Sequence, residues 1–378
     1  MSAQLPLRDS SLKDRFHMPD GTYLLSHSVG CLPVNSAQAM AQRYFEPWQS
    51  RGGDAWPAWL QEIDRFRLAI ARLLGAMSAC VCPSANLSSA LTKILHGMPA
   101  SDATRKVLLT QEDFPSLGFV VAQSARYGFE PVFLPSHADP QDPAVWRAAM
   151  DEPIAVALIT HAFSNRSARL PVREIAALCR ERGVVSVVDV AQTGGVVPID
   201  VADWQADFVI GSCVKFLCGG PGAGFLWASE RVLRDWQPVD VGWFSHENPF
   251  EFEIRDFRYA PDALRFWGGT PAIAPYVQAA FSVETLLAIG IEAIGAHNQQ
   301  WISSLVEQLP AAQLASVREP ALRGNTVLVK VPDLEAALVR MRAANIRLDA
   351  RNGCLRLAPH LYNDSQDLER LLAALSLG

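Results

Sequence analysis

Two charged residues stand where charge is costly. Lys215 lies in GSCVKFLCGGPG (211–222), among small and apolar residues, and Asp189 ends the apolar run VVSVV. Lysine rarely goes inside without a partner, and a lone carboxylate at the end of a buried strand is unfavourable. Each has a bland explanation when taken singly: turn amides satisfy the aspartate, and a carboxylate or water satisfies the lysine. A chemical explanation covers both. A lysine desolvated near a strand end has a depressed pKa and can attack a carbonyl. A carboxylate at the C-terminal edge of a strand lies where open α/β sheets bind ligands. Pyridoxal 5'-phosphate needs both groups, a lysine for its Schiff base and an acid beside its pyridine nitrogen.

Holding such a pair together calls for a sheet covered by helices, and the chain alternates helical and strand patterns. Asp54 can cap a helix that takes Pro57 in its first turn, carries Ile63, Phe66, Ile70 and Leu73 at helical spacing, and ends at Gly75. A second helix starts near Asn86, presents Leu87, Leu91 and Leu95, and ends at Gly97. Strands are expected at 106–110, 130–135, 155–161, 184–191, 207–212 and 224–229, with an amphipathic helix around VREIAALCRERG. These runs are almost continuously apolar, as in a sheet buried on both faces. A long helical region then covers about 272–310, and a strand–helix–strand–strand–helix pattern follows over NTVLVKV, DLEAALVRMRAAN, IRLDA, CLRLAP and DSQDLERLLAALS. The expected organisation is an N-terminal segment (1–50) packing on the small domain, a large cofactor-binding domain (51–270), and a linker helix with a small α+β domain (271–378).

The motifs D-V-A-Q-x-x-G-x-x-P-I-D and A-D-F-V-I-G-S-x-x-K-F-L-x-G-G-P-G resemble the class V aminotransferase group of fold-type I pyridoxal-phosphate enzymes. K-F-L-C-G-G-P-G is most similar to kynureninase, and the resemblance runs in order through YLLSHSVGCLP, QEDFPS, THAFSN, GWFSHENPFEF, FWGGTP and LRLAPHLYN. It implies an α/β fold: a mainly parallel, mostly seven-stranded sheet covered by helices, with a small α+β C-terminal domain. It makes Lys215 the Schiff-base and catalytic lysine, and Asp189 the partner of the pyridine nitrogen. Ser84 and Ala85 in PSANL open a helix and would bind phosphate there, with Ser212 adding a hydroxyl. Thr270 resembles a residue that reaches the phosphate of a neighbouring subunit, which implies a homodimer with shared sites. Phe114 would lie against the cofactor ring, and Gln192 would donate to its oxygen. The substrate is expected to be an amino acid, with Arg356 clamping its carboxylate through the guanidinium fork. Asn165 would contact that carboxylate or the cofactor, and Ser28 the substrate.

The chain departs from both relatives beside the lysine. Val214 stands where kynureninases have tyrosine and desulfurases histidine. Gln192 replaces a kynureninase histidine, and Asp113-Phe114-Pro115-Ser116-Leu117 replaces Asn-Phe-Pro-Thr-Asp. Valine and leucine carry no exchangeable proton, so Lys215 itself is expected to move protons, and kynurenine is not the expected substrate. Cys354 precedes Arg356 on what reads as a strand, not on the mobile loop that carries a desulfurase cysteine. The expected activity is transamination of a small amino acid, or kynureninase- or desulfurase-like lyase or hydrolase chemistry. The alternatives are an amino-acid epimerase, or a degenerate cofactor-binding relative with a regulatory or assembly role. GGPGAG lies between strands, which disfavours a dinucleotide site. A net charge of −6 argues against nucleic acid as partner. No apolar run reaches the ~18 residues of a spanning helix, and MSAQLPLRDSS lacks an apolar signal core, so a cytoplasmic enzyme without membrane contact is expected. The 7 cysteines form no CxxC pair and read as reduced, buried thiols with no metal.

Overall fold

The computed structural model describes residues 10–99 and 105–376. The opening residues read above for a signal core lie almost wholly outside that range. Seven strands form the main sheet: β1 (Val81–Ser84), β2 (Arg105–Leu109), β3 (Phe129–Phe133), β4 (Ile154–Thr160), β5 (Val185–Asp189), β6 (Phe208–Ser212) and β7 (Gly224–Ala228). Their order is β1-β7-β6-β5-β4-β2-β3. Strands β3, β2, β4, β5 and β6 run parallel, whereas β7 is antiparallel to both β6 and β1. The exception follows from the connection. Parallel neighbours need a crossover of a dozen or more residues. The link from β6 to β7 is a short loop without a helix, turning at Gly220 and Gly222 with φ of 74° and 92°. Val187, Val188, Phe208, Val209, Ile210 and Phe225 are wholly buried in this sheet, as the continuous apolar runs require.

Four helices matter for the site and its frame. Helix α1 (Trp56–Leu74) buries Ile63, Phe66, Ile70 and Leu73 and ends at Gly75 in the left-handed region (φ 65°). Asp54 does not cap it. The turn Gly52–Ala55 runs straight into the helix, leaving Ala55 at the cap position with no side-chain bond. Helix α2 (Leu87–His96) is capped by Asn86, whose side chain accepts from Ser89 N at 2.9 Å. The long helical region is two helices, α3 (Ala274–Ile289) and α4 (Ile291–Gln308), bent by 77° at Gly290. Among the described residues no single helix is long and apolar enough to cross a membrane.

The C-terminal part forms an antiparallel sheet of β8 (Val327–Lys330), β9 (Asp349–Arg351) and β10 (Cys354–Leu357), in the order β8-β10-β9. Its own apolar cluster includes Trp301, Leu305, Val329, Leu355, Leu357 and Leu371. The core changes hands within α4: Ile291 and Ile294 belong to the larger cluster, Trp301 and Ile302 to the smaller. The N-terminal segment touches both. Thr22–Tyr23 adds a strand beside Ile346–Arg347, and Leu24 enters the small core while Phe16 and Cys31 enter the large one.

Candidate active site

Parallel register brings the reactive residues together. Thr160 at the end of β4 pairs with Asp189 at the end of β5, and Asp189 with Ile210 in β6. A cavity of about 200 Å³ opens at this edge, and Asp189, Gln192, Ser212, Lys215 and Phe114 all line it. Asp189 is buried, and its Oδ1 accepts from Ala191 N at 2.7 Å. Burial pushes its carboxyl up from the usual range, while the charge of Lys215 and the amide bond oppose that rise. Burial pulls the Lys215 ammonium down, opposed by Asp189 and reinforced by Arg356. Both shifts have one origin: a low-dielectric pocket disfavours each charge except through the other. Lys215 Nζ lies 5.5 Å from the centroid of the Phe114 ring, and Phe114 is 45% exposed.

Phe114 stands just before the helix Pro115–Gln123, held by the carboxyl that precedes it. Asp113 Oδ1 accepts from Thr160 Oγ1 at 2.6 Å and Oδ2 from Thr110 N at 2.7 Å. Burial pushes the Asp113 carboxyl up to about 7. The sequence reading named Asp113 only as part of a loop motif. Its signal was an acid placed directly before an aromatic residue and a helix-starting proline.

The Lys215 turn is fixed from two other parts of the chain. Gly30 N donates to Val214 O at 2.9 Å, and a Cβ on Gly30 would stand 2.3 Å from Lys215 O. His360, wholly buried, donates from Nε2 to Phe216 O at 2.8 Å, its Nδ1 accepting from Leu361 N at 2.8 Å. Burial pulls its pKa down to about 4, so the ring is neutral and the tautomer set by these bonds.

Several expected positions fall elsewhere. Ser84 and Ala85 do not line the cavity; Asn86, Leu87 and Ser88 do. Ser84 is still in β1, paired with Gly224, and its Oγ donates to Asn86 O at 3.1 Å. The amide-bearing first turn of α2 starts only after the Asn86 cap, which shifts this wall along the chain. Arg356 is off the wall but adjoins it, donating from Nη1 to the carbonyl of wall residue Ser164 at 3.0 Å. Its Nε and Nη2 are taken by Asp349, with Nε–Oδ1 at 2.8 Å. Asn165 is off the wall, its Oδ1 accepting from Arg166 N at 2.7 Å. Ser28 is exposed in a turn, with its amide donating to Leu25 O at 2.8 Å. Thr270 is exposed and accepts from Trp243 Nε1 at 3.3 Å, away from this cavity. Cys354 opens β10 and is buried there. Missed by the sequence reading was His27, buried, with Nε2 3.2 Å from Asp349 Oδ2.

The donor set suits one kind of ligand. A buried carboxylate, a lysine amine, an aromatic face and the first turn of a helix surround the space. An aromatic aldehyde with a ring N–H and a phosphate suits these four. Gln192 lines the space differently from expectation: its Nε2 donates to His27 O at 3.4 Å, and Oε1, which can only accept, is the atom without a partner among the described residues. The family model for aminotransferase class V matches residues 42–371. The chain belongs to the aminotransferase class-V family. Pyridoxal 5'-phosphate is the cofactor of this family of enzymes, as the motifs implied. Among relatives of this class-V chain, kynureninase of Deinococcus radiodurans is 29% identical over 96% of this chain and 91% of that one. An uncharacterized aminotransferase of Bacillus subtilis, YcbU, is 24% identical, covering 93% and 92%. In fold the chain is similar to the apo cysteine desulfurase of Thermococcus onnurineus NA1 (TM-score 0.86, 17% identity, 98% of both chains). It is likewise similar to a C-DES mutant with glycine covalently linked to its PLP cofactor (TM-score 0.87, 23% identity, 96% and 98%). The fold-type I architecture expected from the motifs is thus the one observed.

Proposed function

We propose that this class-V enzyme acts on a small α-amino acid, with Lys215 as the amine that holds the cofactor and carries the substrate's α proton. The observation that carries this reading is the placement of Lys215 and Asp189 on one cavity under Phe114. When bound, the cofactor supplies an electron sink for charge developing at the amino acid's α carbon. Asp189 presents a buried carboxylate, which favours a partner bringing an N–H, and its Ala191 bond fixes its orientation. The lowered pKa of Lys215 favours the neutral amine, the form able to attack a carbonyl and to accept a proton at Nζ. Val214 offers no second proton carrier, so one base serves the α carbon and any carbon beyond it. Leu87, Leu117 and Ala162 exclude water from the wall, and the first turn of α2 with Ser212 would receive the phosphate. Arg356 would bind the substrate carboxylate.

Beyond proton removal, the outcome is transamination or a lyase or hydrolase step of the kynureninase or desulfurase type. The similarity to kynureninase over most of both chains favours the latter. We further propose a homodimer in which the exposed Thr270 serves the second copy, and the three-part division at residues 50 and 270.

Adding pyridoxal phosphate to the purified protein should give a yellow species whose absorbance borohydride bleaches, with label retained on the Lys215 peptide. Lys215→Ala should lower turnover by about 10²–10⁴-fold. A protein that stays colourless, or a Lys215→Ala variant with undiminished turnover, removes this reading. A panel of amino acids with and without keto-acid acceptors then separates transamination from release of pyruvate, alanine or sulfide.

A further inference from the structure

The arginine that would meet the substrate is already bonded on one side. Asp349 and Arg356 are direct cross-strand partners in β9 and β10, so sheet register sets the pair before any ligand arrives. Arginine has five N–H donors in a fixed plane. Nε and Nη2 each give one to Asp349, and Nη1 gives one to Ser164 O at 3.0 Å. Two N–H groups remain, one on each terminal nitrogen, and such a pair matches a carboxylate. Asp349 is itself held, by His27 from the N-terminal segment at 3.2 Å. Burial opposes its ionisation, but bonds from Arg356 and His27 keep its carboxyl well below the usual range, so it is an anion throughout the working pH range.

Resting on the reading above, we propose that Asp349 is a positioning residue: with Ser164 O it locks the Arg356 guanidinium so that only its end-on fork is left, aimed at the amino acid's carboxylate. Two opposite effects of Asp349 are conceivable. It could compete with the substrate for Arg356, or it could orient Arg356. Three anchored donors and a register-fixed partner favour orientation, because immobilising the fork beforehand removes an entropic cost from binding.

The test uses holoenzyme and two probes, L-alanine and ethylamine, which differ by the carboxylate, each titrated against the cofactor's visible spectrum. Wild type should bind L-alanine far more tightly than ethylamine. Asp349→Asn should weaken L-alanine about tenfold, the loss of one charge-assisted contact, and leave ethylamine within about twofold. Asp349→Glu keeps the charge but moves the anchor, and should show the same selective loss. In an Arg356→Lys background, Asp349→Asn should change L-alanine binding no further, since the effect runs through the guanidinium. Unchanged or tighter L-alanine binding in Asp349→Asn overturns the proposal in favour of competition. Equal weakening of both probes overturns it in favour of a structural role. A wild-type holoenzyme that does not prefer L-alanine to ethylamine also sinks it, while leaving the cofactor reading intact; failure to form a coloured holoenzyme sinks both.

Discussion

Asp113 shows how a residue can tune a site without lining it. Its buried carboxyl is bonded by Thr110 and Thr160, and it feels the charge of Asp189. With a folded pKa raised to about 7, the folded protein holds a proton that the unfolded chain has lost above its ordinary 3.8. Stability from this group is therefore fully present below about pH 4 and declines as pH rises toward 7. The gap sets a ceiling of about 4 kcal/mol, at ~1.4 kcal/mol per pH unit. Asp113→Asn can keep both bonds, with Oδ1 accepting from Thr110 N and Nδ2 donating to Thr160 Oγ1. It should raise the melting temperature of the cofactor-free protein above pH 7 and flatten its fall between pH 4 and 7. A variant that melts lower than wild type at pH 8 would contradict this. At the same scale, Lys215 and Asp189 were legible in the sequence because a charge inside an apolar run is a local signal. Asp113 was half-legible. His27 and Asp349 were not, because they lie 322 residues apart and only the fold brings them together.

Elements were easier to read than their partners. Apolar runs mark every strand of the main sheet after β1, with ends displaced by a residue or two, but the edge strand β3 is not buried on both faces: Glu130 and Phe133 are exposed. The segment IRLDA was read as one strand and is two. Ile346–Arg347 pairs in parallel with Thr22–Tyr23, whereas Asp349–Arg351 pairs with β10. Nothing local announces a partner more than 300 residues upstream, so this division is a tertiary fact. The same holds for the loop around Gly30, which closes on the Lys215 loop. Gly30→Ala would place a Cβ 2.3 Å from Lys215 O and 2.6 Å from Cys218 Sγ. Cys218 already has a positive φ of 55°, so the backbone there is constrained. The substitution should cost about 1–3 kcal/mol by overpacking. Because the displaced carbonyl belongs to Lys215, it should also weaken cofactor retention, measured as the pyridoxal-phosphate concentration that half-saturates the visible band. Loss of stability with unchanged cofactor affinity would show that the two loops are mechanically independent.

At the scale of the molecule, the site exists only if three distant pieces hold their places: the N-terminal segment, the main sheet and the C-terminal sheet. Asp367 ties the first to the last. Almost fully enclosed, it accepts from Thr22 Oγ1 at 2.8 Å, Lys13 Nζ at 3.0 Å and Arg370 Nη2 at 2.7 Å. Burial opposes its ionisation, yet the bonds from Lys13 and Thr22 win and draw its pKa below 3.8. A depressed carboxylate contributes stability that is present above the unfolded pKa and is lost as pH falls through the folded one. Asp367→Ala removes that contribution, leaves Thr22 Oγ1 without its acceptor, and leaves Lys13 with Asp364 alone, at 3.2 Å. About 3 kcal/mol should be lost at pH 7, as for one partner taken from a buried pair. The difference from wild type should begin to narrow as pH falls below about 4, where the unfolded chain takes up the proton, and close as pH passes the lowered folded pKa. Parallel melting curves at pH 7 and pH 3 decide the point: a gap that stays constant would make Asp367 a packing residue, not an electrostatic tie. Thr22 continues through Leu24, whose carbonyl accepts from Ala358 N at 2.9 Å two residues beyond Arg356. The same variant should therefore weaken L-alanine binding to the holoenzyme more than ethylamine binding, because the strand that slackens carries the carboxylate fork.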